Sequence, residues 1–320
     1  MNWKKAAATL MAAGMTLGTA FSASAADYPE REITIVVPFD AGGSSDMSSR
    51  IVATGMEEVL GETILVENRS GGTGSVGMAY VRASKPDGYT LCYVPVELVM
   101  QETLGISDLV PEDFKLVAQL TTVPAALTVS ADSPFNTVEE FITYAKEHPG
   151  ELNVGNSGNG SIWHLAATML ENATDTEFNH IPYDGAATAV TSLMGGHIDA
   201  VTVNAGEVLA GVEAGKLKVL ALMTEERDKA SFADIPTLKE CGIDVVMGGW
   251  GALAVPKDTP QEIVDILSNA AEEAAGTEEF QTFISEHGMI VTHKNAEDTT
   301  AFVQEQKELF EELLASVELN

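Results

Sequence analysis

The chain has 320 residues, with 17 Lys and Arg against 48 Asp and Glu, giving a formal net charge of −31. Such a field repels nucleic acid and anionic lipid headgroups, and any anion site within it has to be built locally. The two cysteines, Cys92 and Cys241, lie far apart and are too few for a disulfide framework.

The first residues predict export. Lys4 and Lys5 are followed by an uncharged apolar run from Ala6 to Ala20 and by the small residues Ala23-Ser24-Ala25, the order of a secretory signal cleaved after Ala25. Gly14, Thr16 and Gly18 interrupt that run, which falls short of the ~20 strongly apolar residues a membrane span requires. Its only charges are the two lysines, so removing it takes the net charge from −31 to about −33. What remains exceeds the usual size of one core, so two domains are expected.

The mature chain alternates strands and helices. Ile33-Thr34-Ile35-Val36-Val37 reads as a buried strand ending at Pro38. Met47, Ile51, Val52, Met56, Val59 and Leu60 then recur at helical spacing until Gly61. Strands follow at 63–66 and 89–94, with a short helix to Ala83 between them. This alternation predicts a parallel sheet with right-handed crossovers. Near Leu116 two strand-like runs, 116–120 and 125–130, follow one another without room for a helix, which suits a chain passing between lobes. A second series has helices over 138–146, 161–170 and 186–194 and strands at 152–154, 178–182, 198–204 and 217–223. The extended run at 250–255 and the helices starting at 260, 277 and 296 hold too few strands to stand alone, so they are expected to complete the first lobe.

Two loops stand where a strand meets a helix. Asp40-Ala41-Gly42-Gly43-Ser44-Ser45-Asp46 has glycines that let the backbone approach a ligand, and the first-turn amides beyond them are unsatisfied donors at a positive dipole end. The same residues also suit a plain helix cap by Ser44 or Asp46. Asn156-Ser157-Gly158-Asn159-Gly160-Ser161 repeats the arrangement in the second half, with His164 one turn away. Two such loops, one from each half, point to a shared cleft. Gly72-x-Gly74-x-x-Gly77 matches a dinucleotide fingerprint but follows the second strand, and reads as a strand-to-helix turn. No Gly-x-Ser-x-Gly elbow occurs, and the six histidines show no metal-binding spacing, so neither metal nor cofactor is expected.

Several motifs in order resemble one family. Tyr28-Pro29, Ile35-Val36-Val37-Pro38-Phe39 with 41–46, Val66-Glu67-Asn68-Arg69, Pro86-Asp87-Gly88-Tyr89, Ser157-Gly158-Asn159-Gly160 with His164, His180-Ile181-Pro182-Tyr183 and Asp234-Ile235-Pro236-Thr237 are similar to the Bug-type substrate-binding receptors of tripartite tricarboxylate transporters. The resemblance spans almost the whole mature chain. It implies an α/β, two-lobed periplasmic-binding-protein fold of the Venus-flytrap type (type II), with parallel-type sheets and a discontinuous first domain: 1–25 leader, 26–126 and 251–320 domain 1, 127–250 domain 2. It implies a monomer that captures a small di- or tricarboxylate, hydroxy acid or amino acid. Its partners would be a large and a small membrane permease subunit, with no nucleic acid and no enzymatic activity.

The resemblance also implies a ligand carboxylate held by the loops carrying Phe39, Ala41, Gly42, Gly43, Ser44, Ser45 and Asp46 and Ser157, Gly158, Asn159, Gly160, Ser161 and His164, with Asn204 as a third contributor. Four departures bear on the ligand, one of them Asp184 after Tyr183, where the family commonly has a lysine or arginine. Val203-Asn204 stands where the family has Asp-Asn; Ile162 and Trp163 replace small residues; and Glu97, in Pro95-Val96-Glu97, replaces a small residue at a strand end. Glu97 in the cleft would oppose a second ligand carboxylate and favour an ammonium or hydroxyl donor; otherwise it caps the helix that follows. Two other functions compete: a receptor presenting its ligand to a membrane sensor kinase, and a secreted enzyme using Ser157 and His164, for which no orienting acid is evident.

Overall fold

The computed structural model describes residues 28–315; the leader and its cleavage site lie outside them. The first sheet begins with β1 (Ile33–Val37), α1 (Ser44–Leu60), β2 (Ile64–Asn68), α2 (Ser75–Arg82) and β3 (Thr90–Pro95). Ile35, Val36 and Val37 are wholly buried, as expected of a central strand covered by helices on both faces. Helix α1 leaves the extended Gly43 and stops at Gly61, whose left-handed φ of 73° lets its N–H close onto Glu57 O. A four-residue 3-10 turn, Val96–Val99, follows β3.

The chain continues through β4 (Phe114–Pro124), β5 (Ala126–Ser130), α3 (Val138–Glu147), β6 (Asn153–Asn156), α4 (Ile162–Thr174), β7 (Asn179–Pro182), α5 (Ala186–Met194), β8 (Ala200–Val201), α6 (Ala205–Glu213) and β9 (Leu217–Leu222). It ends with β10 (Gly248–Pro256), α7 (Gln261–Ala275), α8 (Glu278–Glu286), β11 (Ile290–Lys294) and α9 (Ala296–Ala315). Strands order as β11-β4-β10-β3-β1-β2 in one sheet and β7-β6-β8-β5-β9 in the other. The C-terminal strands β10 and β11 therefore return to the first lobe.

Both sheets are mixed and not simply parallel. β1 pairs in parallel with β2 and β3, whereas β10 is antiparallel to β3 and β4. In the second sheet β6 is parallel to β7 and β8, and β5 is antiparallel to β8 and β9. Apart from β11, which is antiparallel to β4, the strands that reverse direction are those next to the crossing segments. The crossings bond to each other: Ala125 N donates to Met247 O at 2.9 Å, Met223 N to Ala125 O at 2.8 Å, and Met247 N to Met223 O at 3.0 Å.

The Gly72–Gly77 turn serves packing. A Cβ at Gly77 would lie 2.8 Å from Arg69 O and Pro38 Cα, so only glycine lets α2 sit this close to the end of β1. Cys92 and Cys241 are free thiols, the first buried in β3. Among the described residues no helix is long and apolar enough to cross a membrane.

Candidate functional site

The two lobes meet at a cavity offering about 40 Å³ to a water-sized sphere. First-lobe residues Phe39, Gly43, Ser44, Ser45, Tyr93 and Glu97 face second-lobe residues Ser157, Ile162, Trp163 and Glu207 across it, with Gly249 and Trp250 of β10 closing one side. Six residues expected from sequence line it: Phe39, Gly43, Ser44, Ser45, Glu97 and Ser157.

The N-terminus of α1 points into the cavity, but its first amide is taken. Ser44 N and Ser44 Oγ donate to Glu207 Oε1 at 2.6 and 2.8 Å, and Asn204 N donates to Glu207 Oε2 at 3.1 Å. Helix α4 is occupied in the reciprocal way: Ile162 N donates to Glu97 Oε1 at 3.0 Å. Each lobe thus places a glutamate carboxyl on the helix N-terminus of the other, where the dipole and unpaired amides favour negative charge. Glu97 caps a helix, though not the one that follows it. Thr188 Oγ1 donating to Asp40 Oδ2 at 2.5 Å and Thr73 Oγ1 donating to Asn159 O at 2.9 Å add two further bonds across the cleft.

Burial governs the protonation of these carboxyls. Glu97 is 2 % exposed. Burial pushes its carboxyl up to about 7, opposed by the Ile162 N–H and assisted by the charge of Glu207. Part of Glu207 remains accessible, yet its carboxyl is enclosed and is shifted upward by burial, against the bonds from Ser44 and Asn204. Among the described residues, no Lys, Arg or His lines the cavity. Among the described residues one donor at this wall has no partner, Ser157 Oγ, on a residue 3 % exposed; the Trp250 ring packs against Phe302 of α9.

The remaining expected residues stand behind this surface. Ala41 and Gly42 are exposed. Asp46 braces the first loop, accepting from Gly42 N, Arg50 and Asn68 Nδ2 at 2.8–3.0 Å. Ser161 is the N-cap of α4, accepting from His164 N at 3.2 Å. His164 Nδ1 accepts from Gly160 N at 3.0 Å, and burial lowers its imidazole to about 4, so it holds the second loop as a neutral acceptor. Gly158, at φ 118°, and Asn159 carry the loop beneath Thr73. Asn204 caps α6 through Gly206 N at 2.9 Å and donates to Pro124 O at 2.8 Å and Gly288 O at 2.9 Å, leaving no free donor. It borders a separate groove of about 1160 Å³ on the other side of the hinge.

Residues not anticipated are Tyr93, Glu207, Gly249 and Trp250. Glu207 is legible only as the fourth residue of an Asn-x-x-Glu helix start, and its reach to Ser44 spans 163 positions. Tyr93 covers β10 where Gly251 stands; a Cβ there would lie 1.6 Å from its hydroxyl.

Two α/β lobes joined by paired crossing strands, with helix N-termini from both converging on one interlobe cavity, define a solute-binding receptor of the periplasmic-binding-protein type. Residues 48–319 match the tripartite tricarboxylate transporter family receptor model, and the chain belongs to that family of binding receptors. A Cupriavidus necator relative, the UPF0065 protein of the gbd 5' region, is 33% identical over 316 residues, 96% of each chain. A TctC solute-binding protein from Polaromonas is 41% identical with a TM-score of 0.65, over 90% of this chain and 99% of that one. MatC from Rhodopseudomonas palustris, solved with bound malate, is 28% identical with a TM-score of 0.83, over 89% of this chain and 99% of that one.

Proposed function

We propose that this chain is an exported periplasmic receptor that captures a small organic acid and presents it to the two membrane subunits of a tripartite tricarboxylate-type secondary transporter. Domain 1 would comprise 26–126 and 251–320 and domain 2 127–250, a division supported by the change of sheet between Pro124 and Ala126 and between Leu222 and Gly248. The observation that carries the reading is the convergence of α1 and α4 on one cavity with Ser157 Oγ unpartnered. Buried donors of this kind are normally satisfied, and an acceptor supplied by a ligand satisfies them. Malate in MatC supports an organic acid as that ligand.

The contacts would come from Ser44, Ser45 and Ser157, while Asp46, Ser161 and His164 hold the loops in place. At about 40 Å³ the cavity is smaller than the ~150 Å³ that accepts benzene. Binding therefore has to part the lobes, and closure follows from contacts made to both lobes. Calorimetric titration with small organic acids tests this: Ser157→Ala should weaken the bound acid by about 1–3 kcal/mol, the loss of one hydrogen bond to a charged acceptor. Unchanged affinity would remove Ser157 from the site.

A further inference from the structure

The cavity is built for more than a carboxylate. Two carboxyls, those of Glu97 and Glu207, line it without Lys, Arg or His beside them. Charges held out of water are ordinarily paired, and among the described residues these carboxyls are bonded by backbone amides and the Ser44 hydroxyl. A carboxylate has about four acceptor positions; one bond to Glu97 Oε1 and three to Glu207 leave capacity on the face turned to the cavity. Aromatic residues contribute to the remaining wall: Phe39, Tyr93 and Trp163. Aromatic faces combined with carboxyls and no basic side chain form a cage for a cation. At the same wall Ser157 Oγ is a donor without an acceptor.

From this juxtaposition we propose that the ligand is a zwitterion, an amino acid whose ammonium lies between Glu97 and Glu207 against the aromatic rings while its carboxylate takes the Ser157 donor. The inference rests on the receptor function proposed above and names the class of acid. A nitrogen-free diacid would bring negative charge against two carboxyls with no cation to offset it. An ammonium reverses the sign of that interaction, and a hydroxyl supplies a donor without the charge.

Acids that differ only at one carbon separate these cases: aspartate, malate and succinate carry an ammonium, a hydroxyl and a hydrogen there, and alanine, lactate and propionate form a shorter set. Calorimetry on the full-length mature protein should find the ammonium-bearing member of a set at least about 10-fold tighter than either of its partners, the scale of one charge-assisted contact. Glu97→Gln and Glu207→Gln, which keep an acceptor for Ile162 and Ser44, should each erase about 10-fold of that preference. The preference in the unaltered protein decides the matter even if a variant folds poorly. A malate or succinate that binds as tightly as aspartate, or the absence of binding by every ammonium-bearing member, overturns the inference while leaving the receptor standing. Failure of every acid in both sets counts against the receptor reading itself.

Discussion

Between pH 6 and pH 8 the ratio of aspartate affinity to succinate affinity should rise about 100-fold. The carboxyl of Glu97 lies at about 7, raised chiefly by burial. Its ionised fraction therefore climbs about 10-fold over that interval and its neutral fraction falls about 10-fold. An ammonium is held by the ionised form, so aspartate binding strengthens; a second ligand carboxylate is tolerated by the neutral form, so succinate binding weakens. The other titratable residues lining the cavity do not reverse the trend. Tyr93 is pushed up by burial and stays neutral, and Glu207, raised in the same way, acts in the same sense as Glu97. Titrations at three pH values measure the ratio, and in Glu97→Gln it should flatten. A ratio that stays constant in the unaltered protein would mean that Glu97 does not sense the ligand.

Asn204→Ala should destabilise the protein by about 3–4 kcal/mol, because it strips one helix cap and leaves two carbonyls without their donor. The side chain is fully buried and joins three places: Gly206 at the start of α6, Pro124 at the lobe crossing and Gly288 after α8. Denaturant unfolding measures the loss as a lower midpoint. Substitution of a residue that merely touches ligand would weaken binding and leave that midpoint in place, which is the outcome that would return Asn204 to the cleft.

Much of the architecture is legible in the sequence because it rests on local rules. Ile33–Val37 is a β-branched run that needs burial on both faces, and α1 is bounded by Gly43 and Gly61, whose backbone requirements can be read from residue type. The Ser157–Ser161 turn announces itself through its glycines and the cap at Ser161. Edge and hinge features are harder to read. The strand at 290–294 is half-buried and mixes Ile290 and Val291 with Thr292, His293 and Lys294, so no alternation marks it. The 198–204 run shortens to Ala200–Val201 as the chain turns into the cap at Asn204. The antiparallel insertion of β10 depends on how the lobes connect, which no local pattern encodes.

The site divides in the same way. Loops at helix N-termini can be found from spacing, and Glu97 is conspicuous as a charged residue at a strand end. That its carboxyl seats on α4, and that Glu207 returns the same contact to α1, are properties of lobe closure between residues 65 and 163 positions apart. Asp46 and His164 carry residue types suited to binding, yet Asp46 braces the first loop and His164 Nδ1 holds the second.

The central claim, a receptor that closes on a small organic acid, is tested most directly by what the protein carries. Mass spectrometry of the small molecules released by denaturing protein purified without added ligand should find one low-mass organic acid at close to one per chain, recovered unaltered after prolonged incubation with fresh protein. A nucleotide or other non-acidic cofactor in that position, or conversion of the acid into a product, would contradict the account.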